Sequence, residues 1–281
     1  MAGNGFDRLN APDPSLLSPC STRLRLNCAR AGADIPFMPD LEWNLRAWDR
    51  EYDWSRAGDE WSDGVGGAEG QWYWFMYPRI HRYLPARRVL EIAPGFGRWT
   101  QFLIEHTPEL IGVDLAPKCV DACKKRFAHR TNFSCYVNDG LTLPMIENRS
   151  IDFVFSFGSL VHAESDVMES YVREIQRVLS PSGVAFLHHS NAGFRTYDGP
   201  APHNFGASVT AELVADLTQE YNLLPLVQET FSWGTPLDEP ISCITIVAQP
   251  TSPFVRPFVR FRNELPDAGA AHIEALFKIY R

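Results

Sequence analysis

The sequence predicts an α/β protein: a doubly wound, mostly parallel sheet preceded by an aromatic-rich cap. Three observations lead there. Short apolar runs alternate with amphipathic stretches between Arg88 and Ala248. That β–α alternation calls for right-handed crossovers between parallel strands. The first apolar run also enters a turn with two glycines, Gly95 and Gly97, before the first helix. In open α/β sheets, ligands sit at such strand ends.

The elements follow in chain order. Residues 1–40 carry Pro12, Pro14, Pro19, Pro36 and Pro39 among polar residues and read as an irregular arm. Residues 41–85 form the cap, crowded with Trp43, Trp48, Trp54, Trp61, Trp72 and Trp74 and broken at Gly64–Gly67. Trp72, Phe75 and Arg79 share a helical face, with Tyr73 and Tyr77 one face over, in a helix that ends near Pro85. Most of these rings read as packing, with one or two near a ligand. The sheet domain spans 86–250. Strands are expected at Arg88–Ala93, Leu110–Asp114, Phe133–Val137, Ile151–Phe157, Val184–His188 and Ile241–Ala248. Helices are expected at Arg98–His106, Lys118–Phe127, Asp166–Leu179 and Glu212–Tyr221. Ile151–Phe157, apolar on both faces, is expected to be buried on both. Residues 251–281 form an extension with Phe254, Phe258, Phe261 and an amphipathic stretch from Ala268 to Tyr280. This extension suits either packing on the sheet or a contact in a homo-oligomer.

Composition limits the functions. A chain of 281 residues with 45 % hydrophobic and 21 % charged residues is ordinary for a globular enzyme. A formal charge of −8 argues against a nucleic-acid binder, which needs a basic face. No basic segment leads into an apolar run at the N-terminus, and no stretch approaches the roughly 20 apolar residues of a membrane span, so a cytoplasmic protein without membrane partners is expected. The six cysteines include no CxxC pair. Cys119 and Cys123 share a helix face, but two ligands do not make a zinc site, and all six read as buried or free thiols.

The segment Val89–Thr100 carries the most information. Glycine lets a backbone approach a ligand closely, and a helix start offers free N–H groups. A dinucleotide fold wants G-x-G-x-x-G. Here Thr100 replaces the third glycine, bulky Trp99 precedes it, and Ala93 stands where a first glycine belongs. That fits a ligand with no pyrophosphate to cradle. Asp114 ends the second strand, where an acid ~20 residues past the loop binds ribose hydroxyls. Asn138-Asp139-Gly140 follows the third strand, where a carboxylate can accept from an adenine amino group. Each acid alone reads equally as a turn or cap residue. Glu91, Asp114 and Asp139 together, at the ends of three successive strands, point to a nucleoside cofactor.

On these motifs the chain resembles the class I S-adenosylmethionine-dependent methyltransferases over residues 86–250. The resemblance implies a seven-stranded Rossmann-like sheet whose last strand, Ile241–Ala248, is antiparallel. It implies S-adenosylmethionine as cofactor, with Gly95 and Gly97 bordering the methionine part. Asp114 would hold the ribose and Asp139 the adenine, with Glu91, Ala93, Trp99, Leu115, Gly140 and Phe157 also expected to bind the cofactor. Ala93 departs from the usual glycine. Ala-Pro-Gly-Phe-Gly-Arg-Trp-Thr, Phe-Ser-Phe-Gly-Ser-Leu-Val-His-Ala-Glu and Leu-His-His-Ser-Asn resemble, more narrowly, bacterial methyltransferases of polysaccharide and natural-product pathways that act on sugar hydroxyls. That subfamily has an acid where Gly158 stands.

A hydroxyl acceptor needs a general base, and histidine suits neutral pH. His162 follows the fourth strand, while His188 and His189 end the fifth. Side chains alternate, so one of the latter pair faces the cleft; His189, nearer the loop, is favoured. His162 and His189 are therefore the expected catalytic residues. Helix capping or a buried carbonyl would explain any one histidine alone. A divalent metal held by Glu164 or Asp166 is the disfavoured alternative, since acids there also suit a helix N-terminus. Arg195 and His203 read as solvated loop residues or anion ligands. Two other functions remain: N- or C-methylation of a non-sugar small molecule, and a non-catalytic cofactor-binding relative.

Overall fold

Apolar runs of five to seven residues, buried on both faces, need a sheet covered on both sides, and the computed structural model supplies one. It describes residues 39–233, 239–264, 266 and 268–270, within the unit Pro36–Arg281. Residues 1–38 of the arm expected at 1–40, Cys20, Cys28 and most of the stretch 268–280 fall outside the described residues.

The strands are β1 (Arg88–Ile92), β2 (Glu109–Asp114), β3 (Phe133–Val137), β4 (Ile151–Ser156), β5 (Leu179–Ser190), β6 (Leu224–Phe231), β7 (Ser242–Ala248) and β8 (Val259–Asn263). Among the described residues they form one sheet in the order β3-β2-β1-β4-β5-β7-β6-β8. Strands β1 to β5 pair in parallel, whereas β7 runs antiparallel between β5 and β6. The mostly parallel fold is therefore as expected, with the sheet one strand larger. Ile241–Ala248 is antiparallel but not the last strand, because β8 follows and pairs in parallel with β6. Pro225 and the polar run Gln228-Glu229-Thr230 hide β6 in the sequence. Both polar side chains are buried and satisfied: Gln228 donates to Ala211 O at 2.7 Å, and Glu229 pairs with Arg79.

Helices cover the sheet: α1 (Leu41–Arg46), α2 (Gly67–Gln71) and α3 (Tyr77–Ile80) in the cap, then α4 (Thr100–Leu103), α5 (Pro117–Arg126), α6 (Ser165–Val178) and α7 (Ala211–Glu220). One core joins α6 and α7 to one face through Met168, Val172, Ile175 and Val214. A second core joins the cap to the other through Trp72, Phe75, Met76 and Phe157. Trp72 and Phe75 are buried, while Tyr73 and Tyr77 are exposed, so the cap's helical pattern marks an inner and an outer face.

The chain turns from β2 to β4 on either side of β1. Crevices beyond the carboxyl ends of strands open at such switch points, and the site lies there.

Candidate active site

A cleft opens at the tips of β1, β2 and β4, with the cap as its opposite wall. Its floor is the turn after β1. Gly95 has φ +57°, and a Cβ there would stand 2.9 Å from the Trp54 ring. Gly97 has φ +84°, and a Cβ would meet Phe127 at 2.5 Å. Gly95 thus makes room for the cap and the cleft, whereas Gly97 makes room for α5 behind the loop. Ala93 takes φ +55° although it carries a side chain, a costly conformation for any residue but glycine.

Asp114 shapes this floor. Its Oδ2 accepts from Gly95 N at 3.0 Å and its Oδ1 from Ala116 N at 2.9 Å. Burial pushes its carboxyl up to about 6, against those two donors. Glu91 sits deeper, 1 % exposed, with Oε2 accepting from Thr100 Oγ1 at 2.6 Å. Burial drives its pKa to about 8, so it stays largely protonated at neutral pH.

The structure brings Ala93, Gly95, Trp99, Asp114, Leu115, Gly140 and Phe157 together along the cleft. Glu91, Gly97 and Asp139 do not line it. Glu91 braces the loop from below. Asp139 instead builds its own turn: Oδ1 accepts from Leu141 N and Thr142 N at 2.9 and 2.6 Å, and Oδ2 from Thr142 Oγ1 at 2.7 Å. These donors outweigh partial burial and hold its carboxyl below the ordinary range.

The cap supplies the opposite wall through Asn44, Trp48, Trp54 and Trp61. Trp54 stacks on Phe96 with centroids 4.5 Å apart and planes 2° from parallel. Its indole N–H donates to Trp48 O at 2.8 Å, and that of Trp48 to Asn44 Oδ1 at 3.1 Å. Three cap tryptophans thus reach the cleft, where one or two cap rings were expected. Tyr171 and Arg98 also line it. The Tyr171 hydroxyl accepts from Asn138 Nδ2 at 3.0 Å. Both were missed because a Tyr and an Arg inside amphipathic segments give no signal in sequence.

The three histidines part company. His162 lines the cleft. Its Nδ1–H donates to Asn204 O at 2.9 Å, which leaves Nε2 as a lone-pair acceptor. Trp48 lies 5.1 Å away and Phe205 5.9 Å, centroid to centroid. Burial pushes its pKa down to about 4, so it is neutral at physiological pH. His189 is a correction. It is fully buried, with Nδ1 against Ser190 O and Nε2 against Thr245 Oγ1, both at 2.7 Å, so neither nitrogen is free. Alternation along β5 runs in the opposite phase to the expected one. His188 takes the opposite face of β5 but does not line the cleft: it is buried between Phe157, at 4.3 Å, and Phe231, at 5.5 Å, while its Nδ1 accepts from Gly158 N at 3.2 Å. It supports the loop after β4 from behind.

Glu164, a candidate metal ligand, accepts from Ala207 N at 3.1 Å and Ser208 N at 2.9 Å and also holds the Ser208 hydroxyl. Asp166 accepts from Val167 N at 2.9 Å. Arg195 lies over Phe194 and Tyr197, and His203 packs near Phe205, so the loop residues serve local packing. Cys119, Cys123, Cys135 and Cys243 are free and buried. Among the described residues no helix is long and apolar enough to cross a membrane.

Residues 89–183 match the family described as a methyltransferase domain. The chain is 32 % identical over 109 residues to the biotin biosynthesis bifunctional protein BioHC of Cellvibrio japonicus, covering 37 % of this chain and 21 % of that protein. It is 26 % identical over 113 residues to phosphoethanolamine N-methyltransferase 1 of Caenorhabditis elegans, covering 40 % and 23 %. The chain thus spans about a quarter or less of the length of these two curated relatives. Among solved structures, the PH0226 protein of Pyrococcus horikoshii OT3 shares the fold with TM-score 0.51 and 18 % identity, covering 73 % of this chain and 95 % of that one.

Proposed function

We propose, from the premise that residues 89–183 form a methyltransferase domain of the class I, S-adenosylmethionine-dependent kind, that this protein methylates a small-molecule hydroxyl with His162 as general base. A sugar hydroxyl, on a nucleotide sugar or a glycoside, is the acceptor class we favour. The residues present fit the cofactor. The Asp114 carboxylate suits vicinal ribose hydroxyls, and the bare Gly95 backbone admits a close ligand along the same cleft.

The observation that carries the reading is the His162 imidazole, tethered through Nδ1 to Asn204 O at 2.9 Å with Nε2 left free in the cleft. S-adenosylmethionine, when bound, supplies a methyl group activated by its sulfonium. The protein must align the acceptor, exclude water and take one proton. Nε2 of His162 accepts the hydroxyl proton, and the Asn204 carbonyl on Nδ1 steadies the imidazolium that forms. Trp48, Trp54 and Trp61 offer flat faces to a sugar ring and shield the reacting centre.

The same rings favour a second reading. Aromatic faces also hold cations, so an amine acceptor would fit the three tryptophans, in line with the name of the phosphoethanolamine N-methyltransferase relative. His162→Ala and His162→Gln separate the two. For a hydroxyl acceptor, kcat should fall about 10²–10⁴-fold, while calorimetric affinity for S-adenosylhomocysteine is kept. Undiminished kcat in both variants would refute the hydroxyl reading and leave the amine.

A further inference from the structure

Arg98 is a buried cation in search of an anion. It follows the glycine loop directly, is 7 % exposed and lines the cleft. Among the described residues it makes no ion pair within 4.0 Å. Its one hydrogen bond runs from Nη1 to Ser62 Oγ at 3.1 Å, and Ser62 in turn donates to Gln71 Oε1 at 2.8 Å. A guanidinium has five N–H donors, so most of its capacity remains. The rings of Trp99 and Trp61 flank it, with centroids 4.5 and 5.1 Å from Cζ. They fix the plane of the fork without neutralising it.

On the cleft side the guanidinium faces the bare backbone of Gly158. A Cβ at Gly158 would stand 3.4 Å from Arg98 Nη2, with nothing else within 4 Å. Asp59 and Glu60 attract the charge only from beyond ion-pair range, and burial pushes the guanidinium down to about 10. A buried charge left without a partner is expensive, and a planar fork with free donors matches a carboxylate bidentately.

We propose that Arg98 is the receptor for a carboxylate carried by a ligand of this cleft. The carboxylate comes either from the amino-acid end of S-adenosylmethionine or from the acceptor. The first source rests on the function proposed above; the second needs only the cleft.

Calorimetry on the full chain tests this. The probes are S-adenosylhomocysteine, its decarboxylated analogue, and succinate titrated with and without S-adenosylhomocysteine. The variants are Arg98→Met, which keeps the stem and removes the charge, and Gly158→Asp, which offers Nη2 an internal carboxylate. If the donor supplies the group, removing its carboxylate weakens wild-type binding about ten- to hundredfold. Arg98→Met then lowers affinity for S-adenosylhomocysteine equally and leaves the analogue unchanged. If the acceptor supplies it, S-adenosylhomocysteine and its analogue bind alike in both proteins. Succinate then binds the wild type, and Arg98→Met abolishes that binding. Gly158→Asp should mimic Arg98→Met in either case, at some cost in Tm because Gly158 holds φ +81°; loss of the carboxylate-bearing probe with the other probe still bound is a pattern that simple loss of packing does not produce. Arg98→Met or Gly158→Asp binding every probe as the wild type does would overturn the proposal. No binding of S-adenosylhomocysteine to the wild type would instead refute the proposed cofactor, and the succinate arm would still decide Arg98.

Discussion

The two walls of the cleft are built in different ways. The strand-tip wall is made of backbone. Asp114 ties the tip of β2 to the loop after β1 through Gly95 N and to Ala116 N, and Asp139 closes its own turn through Leu141 and Thr142. The cap wall is made of side chains: Trp54 flat on Phe96, Trp48 beside His162, Trp61 beside Arg98. A backbone wall has few alternative arrangements, because each hydrogen bond fixes dihedrals that its neighbours share. A wall of rings tolerates exchange of one apolar shape for another. On the proposed function the donor would belong to the first wall and choice of acceptor to the second, and changes on one side should leave the other's ligand nearly untouched.

The largest expected effect lies beneath the strand tips. Glu91 has a folded pKa of about 8, raised by burial from an ordinary 4.5. Below pH 4.5 it is protonated in both states and costs nothing. Between pH 4.5 and 8 only the unfolded chain releases the proton, so stability falls as pH rises. Glu91→Gln resembles the protonated form and should remove that slope, gaining on the order of 4 kcal/mol over the wild type at pH 8. Urea midpoints at pH 5 and pH 8 check it; equal slopes in both proteins would contradict a buried neutral acid.

The cap comes next. Trp48→Ala removes a ring that faces the cleft beside His162. The acceptor KM should rise about tenfold, from loss of roughly 1–2 kcal/mol of ring contact. Affinity for S-adenosylhomocysteine should change less than twofold. A comparable loss on both ligands would erase the division between the walls.

The smallest effect is at Ala93. Its φ of +55° is strained for a residue with a side chain. Ala93→Gly should relieve about 1–2 kcal/mol and give back part of that through the freer unfolded chain. The net gain is below roughly 1 kcal/mol, a rise of ~2–4 °C in Tm at this chain length. A fall in Tm would mean that the Ala93 methyl contributes packing.

What was legible in the sequence follows the same divide. The strands at the tips, their parallel pairing and the acid Asp114 were readable because turn glycines and apolar runs have local causes. Strand β6 was not, since Pro225 and its buried polar residues contradict a strand until Arg79 and Ala211 arrive from elsewhere to satisfy them. The phase of β5 was also hidden. His188 and His189 are chemically identical, and only the partners Phe157 and Thr245 decide which face each takes. Asp139 fitted the acid pattern, yet its nearest donors were its own turn. Arg98 escaped notice because an arginine at a helix start looks solvated until the cap buries it.

The central claim is that the strand-tip wall holds S-adenosylmethionine. Calorimetric titration of S-adenosylhomocysteine into the full chain, beside NAD and the Asp114→Asn variant, tests it most directly. One site per chain for S-adenosylhomocysteine is expected, with no comparable binding of NAD and a loss in Asp114→Asn of about tenfold or more, the worth of a hydrogen bond to a charged group. Tighter binding of NAD, or no binding of S-adenosylhomocysteine by well-folded protein, would contradict it.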